Sequence, residues 1–185
     1  MPLTRRHLWF GLPLLATGAG GAGFYAILRR MQAGIYNPHS LPSPLIGKHP
    51  PAFSLPGVDG EPGFSNQNLL TLPQPILINW FASWCLPCQQ EADLLRQLAM
   101  VGVMIWGIAY EDSPSAIATY LRQFGNPYQR LAVDQSGVTA INWGVYGVPE
   151  TYFIDKNGIV RLRYAGPLTD AVLKRELMPL FTRYS

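Results

Sequence analysis

The chain has 185 residues, 48% of them hydrophobic, with two cysteines and a formal net charge of +3. That suits one folded domain plus an accessory segment. Of the 14 basic residues, Arg5, Arg6, Arg29 and Arg30 lie in the first 30 positions, which hold no acid; 10 remain against 11 acids, a net of −1. The basic balance belongs to the N-terminus and gives no support to nucleic-acid binding by the domain.

Leu8 to Leu28 is an uncharged, mostly apolar run of 21 residues between the two arginine pairs. Roughly 20 such residues cross a bilayer as a helix. The positive-inside rule keeps the short N-terminal tail in the cytoplasm and exports the rest. The alternative is a cleaved signal peptide, because Gly and Ala in 16–23 suit a peptidase; Thr4-Arg5-Arg6 before His7-Leu8 is faintly similar to a twin-arginine signal. The length of the run, and its end in Arg29-Arg30 without an A-x-A site, favour an uncleaved anchor, although Pro13 and the glycines weaken the span. The expected organisation is an N-terminal anchor or signal at 1–30, a Pro-rich linker at 31–50 and a domain at 51–185. In either case the domain leaves the cytoplasm, where a disulfide can persist.

In the linker, Asn37-Pro38, Leu41-Pro42, Ser43-Pro44 and Pro50-Pro51 forbid helix and favour extended chain. A short hairpin is predicted from Phe53-Ser54-Leu55 to about Phe64, with turns at Pro56-Gly57 and Asp59-Gly60. Asn66 to Leu70 suits one helical turn. Pro73 and Pro75 precede an apolar strand, Ile76 to Phe81, and helical periodicity covers Glu91 to Met100. Val103 to Tyr110 reads as a strand buried on both faces. Ser113-Pro114 starts a helix by the N-cap and N1-proline rule, and Gly125-Asn126-Pro127 stops it. Tyr128 to Val133 follows as a strand and Val138 to Trp143 as a short helix. Thr151 to Ile154 and Ile159 to Tyr164 form a hairpin about Asp155-Lys156-Asn157-Gly158. Thr169 caps a last helix to about Leu180. The order β-α-β-α-β-α-β-β-α predicts a three-layer α/β domain with a central mixed sheet.

Both cysteines stand in Trp84-Cys85-Leu86-Pro87-Cys88, between the strand at 76–81 and the following helix. A thiol there meets unpaired backbone N–H groups and the positive end of the helix dipole, which favour the thiolate. A structural zinc site takes four ligands, yet no second Cys pair exists and His7, His39 and His49 all lie upstream. A c-type haem attachment needs His where Gln89 stands. A purely structural disulfide across so short a loop removes little chain entropy. A redox-active dithiol is the stronger reading.

Strand, Trp-Cys-x-x-Cys, helix and a later x-Pro before a hairpin resemble the thioredoxin fold. Four segments narrow the resemblance to the membrane-anchored thiol:disulfide interchange proteins of cytochrome c biogenesis, the DsbE (CcmG) family. They are Ile78 to Cys85, Cys88-Gln89-Gln90-Glu91, Gly125-Asn126-Pro127-Tyr128, and Gly144-Val145-Tyr146-Gly147-Val148-Pro149-Glu150-Thr151-Tyr152-Phe153-Ile154-Asp155. The last is the most specific, and the resemblance covers about residues 45–185. Asp93 stands where thioredoxins proper carry a helix-kinking proline, which leaves the helix bend open.

The resemblance implies that Cys85 attacks a substrate disulfide and Cys88 resolves the mixed disulfide. It places Pro149 in a cis peptide after Val148, facing the dithiol, where backbone can pair with an extended peptide. Trp84 is expected to shield the disulfide, and Leu86-Pro87 lies within the variation the family tolerates. Glu91 is either a charge compensating the helix N-terminus or an acid tuning the thiols; Glu150 is either a solvated loop acid or a second tuner. Tyr110-Glu111-Asp112 reads as a loop beside the site with solvated acids, and Trp80, Trp106 and Phe153 as core. The implied role is reduction of the haem-binding Cys-x-x-Cys of apocytochrome c within the cytochrome c maturation machinery, at the bacterial inner membrane with the domain in the periplasm. A membrane donor of the DsbD or CcdA type would recycle it, with no metal or organic cofactor. The rivals are a broader reductase, an oxidant of the DsbA kind, and a non-enzymatic apocytochrome chaperone. A copper chaperone of the Sco type needs CxxxC and a distant His.

Overall fold

The computed structural model describes residues 20–26, 29 and 43–184. The chain divides into two compact units, Met1–Pro38 and His39–Ser185. In the first, residues 20–26 are helical. The expected span Leu8–Leu28 lies for the most part outside the described residues; among the described residues no helix is long and apolar enough to cross a membrane.

In the second unit a two-stranded antiparallel ribbon, β1 (Ser54–Leu55) and β2 (Phe64–Ser65), is followed by a 3-10 turn, Asn66–Leu69. The main sheet has the order β5-β4-β3-β6-β7. Here β3 is Ile76–Phe81, β4 Met104–Tyr110, β5 Arg130–Asp134, β6 Glu150–Ile154 and β7 Val160–Ala165. Strands β3, β4 and β5 run parallel, while β6 and β7 are antiparallel. The connecting helices are α1 (Leu86–Met100), α2 (Pro114–Phe124) and α3 (Val138–Trp143). The C-terminal segment is α4 (Asp170–Val172), a π-helical stretch Leu173–Leu177, and α5 (Met178–Tyr184). The predicted mixed sheet and element order are therefore present.

Strand period places the core on both faces of the sheet. Ile76, Ile78 and Trp80 of β3 join Trp106, Ile108, Tyr152 and Ile154 in one cluster under the ribbon and α3. Leu77 and Phe81 join Ile105, Ala109 and Phe153 in the other, under α1, α2 and the C-terminal helices. Asn79 falls on this second face, in a row where it pairs with Gly107 on one side and Thr151 on the other. Gly107 is required there: a Cβ would lie 2.9 Å from the Tyr128 ring that covers it.

Caps end the helices where the sequence predicts. Ser113 Oγ accepts from Ala116 N at 3.3 Å ahead of Pro114, and Thr169 Oγ1 accepts from Val172 N at 3.3 Å. Helix α1 runs unbroken past Asp93, which accepts from Arg96 and Gln97 one turn on. The last helix continues to Tyr184, beyond its predicted end at Leu180. One boundary moves. Residues 43–50, assigned to the linker by their prolines, belong to the domain: Gly47 N donates to Val160 O at 2.8 Å and Val160 N to Lys48 O at 2.9 Å, extending the β7 edge.

Candidate active site

Cys85 and Cys88 form a disulfide at the C-terminal end of β3, with their Cα atoms 5.3 Å apart. Cys85 is the N-cap of α1, and its Sγ accepts from Cys88 N at 3.1 Å. Pro87 sits in the first turn, where its missing N–H would have had no helical partner. Cys85 is 4% exposed and Cys88 fully buried, so only the first sulfur meets an incoming partner. An amide donor aimed at a sulfur favours its thiolate. The cap thus makes Cys85 the better nucleophile.

The Val148–Pro149 peptide is cis, and the Val148 carbonyl oxygen lies 3.4 Å from Cys85 Sγ. Pro149 is buried and Val148 half-buried. Trp84 is 60% exposed, with its ring edge-on to Tyr110 at 6.5 Å. Leu86 and Pro87 are also exposed. The sulfur is therefore recessed against the cis-proline loop, with its sequence neighbours Trp84 and Leu86 exposed.

Glu91 does not compensate the helix end: it lies beyond the first turn of α1 and is buried at 1% exposure. Its Oε1 accepts from Asn79 Nδ2 at 2.9 Å and its Oε2 from Leu168 N at 2.7 Å. Asn79 Nδ2 also donates to Thr151 Oγ1 at 3.2 Å, and Tyr128 OH donates to Asn79 Oδ1 at 2.8 Å. Burial pushes the Glu91 carboxyl up, and outweighs the two hydrogen bonds that pull it down, leaving it at about 7. Cys88 lies one turn before it on the same helix face. Tyr120 OH donates to the Cys88 carbonyl at 3.1 Å and ties α2 to that turn.

Glu150 is not a solvated loop acid. It is buried beneath the cis-proline loop and accepts twice from Arg163, Nε and Nη2 each at 2.8 Å. Tyr146 N donates to its Oε1 at 3.3 Å, and Arg163 Nη1 donates to Tyr146 OH at 3.0 Å. With its charge matched by a guanidinium, Glu150 has far less field to place on the sulfurs than a lone carboxylate.

Sequence reasoning misses or misreads two partners: Asp112 lies beside the site as expected, but it is not the solvated acid expected there, whereas Glu111 is exposed. Asp112 is buried and holds the turn ahead of the dithiol: it accepts from Ser83 N at 2.6 Å, Ser83 Oγ at 3.1 Å and Ser113 N at 2.8 Å. Asn79 is the other, a polar residue inside an otherwise apolar strand. That interruption was the available signal. Trp80, Trp106 and Phe153 are core as expected.

Residues 46–163 match the AhpC/TSA family. The chain is 40% identical over 149 residues to the thiol:disulfide interchange protein DsbE of Escherichia coli (strain K12), covering 80% of each. It is 36% identical over 170 residues to the thiol:disulfide interchange protein HelX of Rhodobacter capsulatus, covering 91% of this chain and 93% of that protein. Among solved structures it resembles MTB dsbF in its mixed oxidized and reduced forms, with a TM-score of 0.60 and 27% identity over 69% of this chain and 94% of that one. It also resembles a thioredoxin-family thiol:disulfide interchange protein of Chlorobium tepidum TLS, with a TM-score of 0.56 and 27% identity over 69% and 91%. A capped, recessed dithiol on a thioredoxin-like sheet, in a sequence this close to those relatives, places the chain in the AhpC/TSA family among the DsbE-type thiol:disulfide interchange proteins, as a thiol–disulfide oxidoreductase.

Proposed function

We propose that this oxidoreductase is held at the bacterial inner membrane by its N-terminal segment, works in the periplasm, and reduces the haem-binding Cys-x-x-Cys disulfide of apocytochrome c for the maturation machinery. The observation that carries the exchange chemistry is the position of Cys85: N-cap of α1, with Cys88 N at 3.1 Å and the Val148 carbonyl at 3.4 Å. The sequence Gly144 to Asp155, which separates the DsbE family from general thioredoxins, supports the substrate.

In the reduced protein the Cys85 thiolate attacks one sulfur of the substrate disulfide. A mixed disulfide forms and one substrate thiolate leaves and takes up a proton. Cys88, deprotonated, attacks Cys85 Sγ and expels the second substrate thiolate. The substrate has gained two electrons and two protons, and the Cys85–Cys88 disulfide is the state the structure holds. A donor dithiol of the DsbD or CcdA type restores the reduced form by the reverse sequence. The Val148 backbone offers an extended substrate a place beside the sulfur. These steps use two sulfurs and no metal or organic cofactor.

The test is capture. Cys88→Ser cannot resolve the mixed disulfide, so the substrate stays bonded to Cys85 and can be identified. Apocytochrome c bonded through a haem-motif cysteine is the expected product. A broad set of periplasmic proteins would instead assign a general reductase. A reduction potential near about −120 mV, not about −270 mV, would assign an oxidant. Full cytochrome c maturation by Cys85→Ser would assign a chaperone.

A further inference from the structure

The end of the sheet opposite the dithiol carries an apolar cleft. There β3, β4 and β7 begin and β6 ends, with Ile76 level with Met104 and Ile154. A groove of about 520 Å³ opens among Pro73, Leu98, Val101, Met178, Phe181 and Lys156. Val101 (78% exposed) and Met178 (49%) keep large parts of their side chains in solvent. Lys156 is the charged side chain among the described residues that line the groove, and it is exposed. Leu72 N donates to Lys156 O at 3.1 Å and Gln74 Nε2 to Gly102 O at 3.0 Å, which ties the walls together. The chain joins the domain at the same end. Gly47 N and Lys48 O pair with Val160 at the start of β7, and His49 Nδ1 lies 3.2 Å from Gly158 O. Lys48 is exposed, so it and Lys156 flank one turn. The acids nearby are matched: Asp155 is buried against Arg161 at 2.7 Å, and Glu176 meets Arg175 at 2.9 Å. The dithiol end, by contrast, exposes the acids Glu111 and Asp170.

We propose that this end of the domain rests on an anionic bilayer surface, with Val101 and Met178 at the headgroup–acyl boundary and Lys48 and Lys156 on the lipid phosphates. This rests on the anchored reading given above. Apolar groups beside lysines are what an interfacial surface presents to acidic lipid. The tether adds to it. Twelve residues, 31–42, separate Arg30 from Ser43, and a chain of that length reaches at most roughly 40–45 Å. An anchor at Arg30 therefore holds the Gly47–His49 end near the bilayer at high effective concentration, where a weak contact suffices. A second copy of this chain fits the groove less well, because a two-fold contact there brings the lysines of both copies together. A substrate chain bonded to Cys85 is remote from it: the six residues of β3, about 20 Å of extended strand, lie between. The exposed acids of the dithiol end are repelled by the same lipid, so the disulfide faces away from the bilayer.

The test uses the full chain reconstituted in vesicles of phosphatidylcholine alone, or of phosphatidylcholine with phosphatidylglycerol, read by amide hydrogen exchange. The segments compared are 99–103 and 155–159 at this end and 86–90 at the dithiol end. Exchange in the first two should be slower on the mixed vesicles than on phosphatidylcholine by at least about fivefold, the worth of one lysine at an anionic surface. The dithiol segment should not change. Lys48→Gln with Lys156→Gln should remove the lipid dependence, and Val101→Asp should remove most of the slowing, with segment 86–90 unchanged in both as the check that the fold is intact. A chain retained by the vesicles in high salt, with no slowing at this end, overturns the proposal and leaves the anchored reading standing. Slowing that grows with the protein-to-lipid ratio would give the groove to a second copy, and equal slowing at both ends would mean no preferred face; each overturns it. A chain that the vesicles do not retain overturns the anchored reading, and this proposal with it.

Discussion

Asn79 and Glu91 meet beneath the dithiol, the amide nitrogen donating to the carboxyl at 2.9 Å with both side chains buried. The amide is held in turn by Tyr128 and Thr151, and in this cluster the group that changes its charge near neutral pH is the acid. An apolar surrounding favours the uncharged carboxyl and two donors favour the carboxylate; burial wins, at about 7.

A pH-dependent stability follows. The folded carboxyl keeps its proton to about pH 7, whereas in the unfolded chain it loses it near the ordinary value of 4.5. Between those values the folded state binds more protons, so stability falls as pH rises. The contribution is complete below about pH 4.5 and lost through pH 7, with a size on the order of 3 kcal/mol. Urea unfolding of the oxidised protein at pH 5 and pH 8 should show this fall, and Glu91→Gln should remove it. An equal fall in the variant would mean that another group is responsible.

The two buried acids should affect the thiols unequally. Ionised Glu91 lies one helical turn from Cys88 without a cation among its hydrogen-bond partners, so it opposes a second negative charge there. Glu150 is matched by Arg163 at 2.8 Å. In the reduced protein Glu91→Gln should lower the thiol pKa, and Glu150→Gln should change it much less. Ultraviolet absorbance of the thiolate against pH decides the matter; a larger shift from Glu150→Gln would reverse the assignment.

Asp112 supports the same site from the other side. Removing it leaves Ser83 N, Ser83 Oγ and Ser113 N without their acceptor. Orphaned donors cost about 1–3 kcal/mol, and the turn carrying Trp84 is freed. Asp112→Ala should therefore lower stability by about that amount and broaden the Trp84 environment, while Asp112→Asn, which keeps one acceptor oxygen, should fall between. Unchanged stability in Asp112→Ala would show that the turn is held by the rest of the fold.

The features legible in the sequence are the local ones. Cys85 and Cys88, the N-caps Ser113 and Thr169, and the turns are set by residues within a few positions of each other. Pro149 is local too, although its facing the dithiol came from family resemblance and not from spacing. The surroundings of Glu91 are not local: its partners are 12 and 77 residues away, and Tyr128 reaches Asn79 across 49. No period or spacing carries that information. Glu150 was closer to legible. In the β6–β7 hairpin it pairs with Ala165, which puts Arg163 two residues along on the same face, in reach of a diagonal cross-strand contact. An acid and a base near the same level of the two strands hint at the ion pair, although a register shift between Phe153 and Ile154 keeps the turn Asp155-Lys156-Asn157-Gly158 from giving the exact pairing.

That pair gives the last prediction. Glu150 and Arg163 are both buried, their side chains 1% and 4% exposed. A buried pair gains little over an apolar replacement, yet losing one partner strands a charge. Arg163→Met should therefore cost about 3–5 kcal/mol, and it also removes the donor to Tyr146 OH. The double variant Arg163→Met with Glu150→Gln leaves no buried charge and should recover a large part of the loss, which denaturant unfolding of the two single variants and the double variant measures as a coupling energy. Because Glu150 also accepts from Tyr146 N in the loop that carries Val148, Arg163→Met should slow exchange with a disulfide peptide more than the double variant does. Additive losses with no coupling would show that the loop keeps its position without the ion pair, and that Arg163 acts through its packing on Tyr146 alone.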